Sequence, residues 1–267
     1  MQGAIRRRDG GLLGADAALA RLPQVDDFCH GATLPAIART EKDPAMSQTI
    51  TLTAADGHTL SACVAGPAAA PRALVVVQEI FGVNRHIRAV AESFAAEGYR
   101  VIAPALFDRA ERGVELAYDQ DGVRQGLSLR ATIPAEETLL DIRAAARSLG
   151  LPPAHTGIIG YCWGGTIAWQ AACRTGDFGA AVGWYGGGIA AERALIPRCP
   201  VELHFGETDG SIPLSDVAAI RAAHPDLPVY TYPDAGHGFG CPERASFNAP
   251  AADLARTRSL AFFDLTL

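Results

Sequence analysis

The chain has 267 residues, 49% hydrophobic and 19% charged, with a formal net charge of −6. That composition suits one of the larger α/β domains with a sizeable core, and the acidic balance argues against a nucleic-acid partner. No apolar run approaches the roughly 20 residues of a membrane-spanning helix, so no membrane partner is expected either.

Six cysteines (Cys29, Cys63, Cys162, Cys173, Cys199 and Cys241) are scattered without Cys-x-x-Cys or Cys/His ligand spacing. They read as reduced thiols of a cytoplasmic protein, with no structural zinc. Residues 1–45 differ from the rest. Arg6-Arg7-Arg8 is followed by Gly10-Gly11 and by a mixture of Ala, Asp and Pro without a sustained period. Gly14 and Asp16 interrupt the apolar stretch from Leu12 to Leu22, which makes a poor secretory signal. These residues are expected to form a flexible N-terminal extension, with one folded domain over 46–267.

From Met46 the pattern is regular. Thr49–Thr53 and Thr59–Val64 alternate across Asp56-Gly57, as a β-hairpin does. Ala73–Val77 is a continuous β-branched run, the mark of a buried parallel strand. A helical period follows from His86 to Glu97, stopped by Gly98, and then the strand Arg100–Ala103. Residues 107–133 are polar and irregular, a loop or small helical excursion. A helix is predicted over Ala135–Leu149, a strand at Gly157–Ile159, and a helix from Thr166. Further strands fall at Ala180–Tyr185, Val201–Phe205 and Val229–Tyr232, with helices near 213–223 and 250–264. This alternation predicts an α/β fold: a mostly parallel central sheet, helices on both faces and an antiparallel N-terminal hairpin.

Gly160-Tyr161-Cys162-Trp163-Gly164-Gly165 lies between a strand and a helix. It has the form of a nucleophile elbow, G-x-S-x-G, with cysteine in the place of serine. Such a thiol stands at a helix N-terminus, where the helix dipole favours a thiolate. The elbow fold orders its partners as nucleophile, acid, histidine. Asp209 follows the strand Val201–Phe205, with Glu207 in reserve, and His237 follows the strand Val229–Tyr232.

With Gln78-Glu79-Ile80-Phe81-Gly82-Val83-Asn84, Asp209 and Gly236-His237-Gly238-Phe239, the elbow resembles the dienelactone hydrolases (carboxymethylenebutenolidases) of the α/β-hydrolase superfamily. The resemblance runs from Met46 to the C-terminus. It implies a Cys162–His237–Asp209 triad and a Glu79 that contacts the resting thiol until substrate arrives. The expected reaction is hydrolysis of a small-molecule ester or lactone through a thioester, with no metal or cofactor. The backbone N–H groups of Ile80 and Trp163 form the oxyanion hole. Phe81, Tyr185 and Phe239 are expected to line the pocket. The family also holds a substrate carboxylate with arginines, one shortly after the histidine. Here Phe239-Gly240-Cys241-Pro242 stands there and the next arginine is Arg244, while the excursion offers Arg109, Arg112, Arg124 and Arg130. The substrate therefore stays open, as does the choice between a monomer and a small homo-oligomer. Two alternatives remain: a general carboxylesterase of small esters, and a non-catalytic binding protein with a redox-sensitive Cys162.

Overall fold

The computed structural model describes residues 47–267. The extension expected over 1–45, and the domain start at Met46, lie outside them. The hairpin forms as expected from β1 (Gln48–Thr53) and β2 (Thr59–Ala65), with Thr53 opposite Thr59. Gly57 takes a φ of 84°, open to glycine at no steric cost, and Asp56 Oδ1 accepts from the His58 N–H at 3.1 Å.

Six more strands complete one sheet: β3 (Ala73–Val77), β4 (Arg100–Pro104), β5 (Thr156–Tyr161), β6 (Ala180–Trp184), β7 (Val201–Gly206) and β8 (Val229–Tyr232). The order is β1-β2-β4-β3-β5-β6-β7-β8. β1/β2 and β2/β4 are antiparallel and every later pair is parallel. All residues of β3, β5 and β6 are buried, so both faces of the sheet centre are covered, which is why these strands read as continuous apolar runs.

The covering helices are α1 (Arg85–Ala96), α2 (Gln120–Ala131), α3 (Ala135–Ser148), α4 (Trp163–Arg174), α5 (Leu214–Ala223) and α6 (Ala249–Thr266). Asn84 caps α1, its side chain accepting from the Ile87 N–H at 3.2 Å, and Asn248 caps α6 in the same way through Ala251. Among the described residues, no helix is long and apolar enough to cross a membrane.

The polar segment 107–133 is more ordered than its sequence suggests. It holds α2, capped by Asp119 Oδ1 accepting from Gly122 N–H at 2.8 Å. The buried residues of this helix are Gly122 and Gly126, one turn apart. A Cβ on Gly126 would overlap the carbonyl of Ile80. The helix therefore packs through missing side chains, and no apolar stripe announces it.

Parallel strands point their C-terminal ends the same way, and the loops leaving β3, β5, β7 and β8 carry Glu79, Cys162, Asp209 and His237 respectively. Val77 of β3 pairs with Gly160 of β5, and Gly206 of β7 with Tyr232 of β8. Four distant segments thus meet at one edge, where open α/β sheets bind ligands.

Candidate active site

Cys162 sits between the last residue of β5 and the first of α4 with φ 55° and ψ −114°. For a side-chain-bearing residue this conformation costs on the order of 1–3 kcal/mol, and the surroundings must impose it. The Cys162 N–H donates to the Trp184 carbonyl at 3.0 Å, and its own carbonyl accepts from Gly165 N–H at 3.0 Å. The flanking glycines let α4 start hard against the sheet. A Cβ on Gly164 would lie 2.7 Å from the Gln78 carbonyl oxygen, and one on Gly165 2.5 Å from that of Trp184.

His237 bridges Cys162 and Asp209. Its Nε2 is 3.1 Å from Cys162 Sγ, and its Nδ1–H donates to Asp209 Oδ2 at 2.7 Å. The other carboxylate oxygen of the buried Asp209 accepts from the Ser211 and Ile212 N–H groups at 2.8 and 3.2 Å, which fixes its orientation. Glu207, the reserve acid, is exposed. Ser246 Oγ–H donates to the His237 carbonyl at 2.7 Å and steadies the loop. Burial alone would lower the pKa of His237, but the hydrogen bonds to Asp209 and Cys162 outweigh it and raise the value to about 10. The pocket thus favours an imidazolium held between a carboxylate and a sulfur.

The contact expected of Glu79 is not the one found. Glu79 is fully buried, and its Oε1 accepts from Arg244 Nη1 at 3.1 Å, while the hydrogen-bond partner of the Cys162 sulfur is His237. Arg244 stands seven positions after His237, yet successive turns fold it back: Cys241 N–H donates to the Gly238 carbonyl and Arg244 N–H to that of Cys241. Gly238, at φ 77°, leaves the room, since a Cβ there would lie 2.5 Å from Arg244 Nη1. The guanidinium carbon lies 5.5 Å from the ring centre of Phe81 and 5.8 Å from that of Tyr118.

A cleft of about 480 Å³ opens beside this pair, bounded by Phe81, Tyr118 and Val123, by Asp119, and by the cations Arg124 and Arg244. Of the three side chains expected to line a pocket, Phe81 borders it. Phe239 and Tyr185 are fully buried instead: Phe239 stacks on Trp184 at 5.4 Å, and Tyr185 meets the His237 ring edge-on at 5.3 Å. Trp163 stacks on Phe107 at 5.4 Å. The N–H groups of Ile80 and Trp163 have no backbone acceptor among the described residues.

The excursion's arginines divide by environment. Arg109 makes two 2.7 Å bonds to Asp141 and a third to Asp56 at 2.8 Å, and so serves the scaffold. Arg112 donates to the Thr59 carbonyl and hydroxyl. Arg130 is exposed on α2, and only Arg124, paired with Asp121, reaches the cleft. The sequence named Arg244 only as the next arginine after the histidine and did not single out Tyr118, because the turn that returns one and the excursion that carries the other have no spacing rule.

Residues 60–267 match the sequence model of the dienelactone hydrolase family. A carboxymethylenebutenolidase of Pseudomonas putida is 33% identical over 227 residues, spanning 81% of this chain and 96% of that protein. A solved structure from Klebsiella pneumoniae, provisionally named a dienelactone hydrolase, superposes with a TM-score of 0.69 at 30% identity, covering 81% of this chain and 99% of its own. A dienelactone hydrolase-like promiscuous phosphotriesterase from metagenomic libraries shares the fold, with a TM-score of 0.66 at 21% identity over 82% of this chain and 98% of that one. The chain belongs to the dienelactone hydrolase family of carboxylic ester hydrolases.

Proposed function

We propose that the protein hydrolyses a small ester or lactone through a thioester on Cys162, with Cys162, His237 and Asp209 as its triad. The observation that carries this reading is the unbroken hydrogen-bond chain from Cys162 Sγ through the His237 ring to Asp209, at 3.1 and 2.7 Å. The sulfur attacks the carbonyl carbon as thiolate, with the proton on His237. The negative charge that develops on the carbonyl oxygen is met by the N–H groups of Ile80 and Trp163. As the tetrahedral species collapses, the carbon–oxygen bond to the leaving group breaks and His237 gives that oxygen its proton. His237 then takes a proton from water, whose hydroxide adds to the thioester carbonyl. Collapse releases the acid and returns the Cys162 thiolate, with Asp209 holding the ring throughout.

The substrate class follows from the cleft. Arg244 and Arg124 border it, ion-paired with Glu79 and Asp121 and beside Asp119, and Phe81 and Tyr118 give it an aromatic wall. An ester or lactone that carries a carboxylate fits this combination. Its anion competes with Glu79 for the Arg244 guanidinium, and that exchange releases Glu79 from its partner. A general carboxylesterase would have no use for the paired cations. A panel of lactones and aryl esters, each with and without a carboxylate, separates the two. The proposed reading expects kcat/KM at least tenfold higher for the anionic member of each pair, and a loss of that preference in Arg244→Met. Equal turnover of both members supports the general esterase.

A further inference from the structure

We infer that Glu79, His86 and Cys241 form a binding site for a thiophilic divalent cation of the Zn²⁺ type. One carboxylate oxygen of Glu79, one ring nitrogen of His86 and the Cys241 sulfur all lie within 4.8 Å of one another. All three residues are buried, at 0%, 5% and 0% exposure. They come from three different segments: the loop after β3, the first turn of α1 and the loop after β8. The sheet thus brings them together although their positions in the chain show no ligand spacing.

Two of these side chains hold capacity that nothing in the fold uses. Glu79 Oε2 and His86 Nε2 are buried without a hydrogen-bond partner among the described residues. Buried polar atoms ordinarily find partners, and two side chains with orphan atoms, clustered with one thiol, point to a missing ligand. The donor set selects the ligand. Sulfur, imidazole nitrogen and one carboxylate oxygen suit Zn²⁺, whereas Mg²⁺ and Ca²⁺ want oxygen alone. Tetrahedral bonds of 2.0–2.3 Å place ligand atoms about 3.3–3.7 Å apart, so side-chain rotations that close a gap of at most 4.8 Å by no more than about 1.5 Å complete the site. Binding displaces the thiol proton to solvent, and a fourth position is left for water.

The Arg244 guanidinium already holds Glu79 Oε1, and Tyr118, whose hydroxyl accepts from Asn84 Nδ2 at 3.1 Å, borders the thiol. A cation on Glu79 would add a positive charge beside Arg244 and disturb the Glu79–Arg244 pair that the proposed substrate anion exchanges with. Its effect is inhibition, and this consequence rests on the hydrolytic reading above, whereas the binding itself does not.

The test uses Co²⁺ as a spectroscopic stand-in and full-length Cys162→Ser, which removes the active-site thiol. Titration should give a near-ultraviolet thiolate-to-cobalt charge-transfer band that saturates at one equivalent and is displaced by Zn²⁺. The band should vanish in Cys162→Ser/Cys241→Ser and weaken at least tenfold in affinity in Cys162→Ser/His86→Gln, each checked for native circular dichroism. A band unchanged in both double variants, or absent from Cys162→Ser, overturns the site. In activity, Zn²⁺ should inhibit the wild type reversibly, with an at least tenfold higher half-inhibitory concentration for Cys241→Ser. Equal inhibition of the two overturns the inhibitory role while leaving the cobalt result to stand on its own.

Discussion

Arg244→Met tests how the buried carboxylate of Glu79 is held. Glu79 has no exposed surface, and among the described residues its one side-chain hydrogen bond comes from Arg244 Nη1 at 3.1 Å. The Arg244 side chain is 19% exposed, so solvent screens the pair little. His86 lies nearby, and burial lowers its pKa from the ordinary histidine value, so in the wild type it is uncharged at pH 7. Removing one member of such a pair strands the other, at a cost of roughly 3–5 kcal/mol. Methionine keeps most of the side-chain volume, so the loss is chiefly electrostatic. Urea denaturation at pH 7 should therefore show Arg244→Met less stable than wild type by about 3–5 kcal/mol. The double variant Arg244→Met/Glu79→Gln should recover most of the loss. A single variant within about 0.5 kcal/mol of wild type would refute the reasoning.

Other consequences of the site can be measured independently. Asp209→Asn should lower kcat by about 10⁴-fold with KM little changed, because the ring loses the acceptor that sets its tautomer. His237 carries its raised pKa of about 10 into stability. Its stabilising charged form is fully present below the ordinary histidine value of about 6.5 and is lost as pH rises through about 10, so wild-type Tm should fall across that interval more steeply than that of Asp209→Asn. Gly126→Ala should push α2 against the Ile80 carbonyl and displace the neighbouring N–H. Losing that oxyanion donor entirely would cost ~2.7–4 kcal/mol, so kcat should fall by up to 10²–10³-fold while KM changes less; an unchanged kcat would count against Ile80 as a donor. Gly238→Ala should crowd the Arg244 guanidinium and raise KM for anionic esters more than for neutral ones.

Much of the fold was legible because, after the N-terminal hairpin, strands and helices alternate through most of the chain. The hairpin, the β-branched run of β3 and the glycine-flanked elbow each follow from local chemistry. Cys162, Asp209 and His237 were legible for a topological reason: each lies just beyond a strand, and a parallel sheet gathers those ends on one edge. Helix α2 was legible only as one of two readings of 107–133, a loop or a small helical excursion, since its packing face is made of Gly122 and Gly126. The Glu79–Arg244 pair was not legible, because the turns between Gly238 and Arg244 set it and spacing does not. Phe239 and Tyr185 show the same limit. Aromatic residues near a site face the cleft or the core, and the stacking of Phe239 on Trp184 decides for the core.

The central claim is that Cys162 forms an acyl-thioester during turnover. Rapid acid quench of the protein with a slowly hydrolysed aryl ester, followed by peptide mass spectrometry, reads this directly. The mechanism predicts the acyl mass on the peptide containing Cys162, its disappearance in Cys162→Ala, and a fall in kcat of several orders of magnitude in that variant. Wild-type hydrolysis rates in Cys162→Ala, or an acyl group found on another residue, would contradict it.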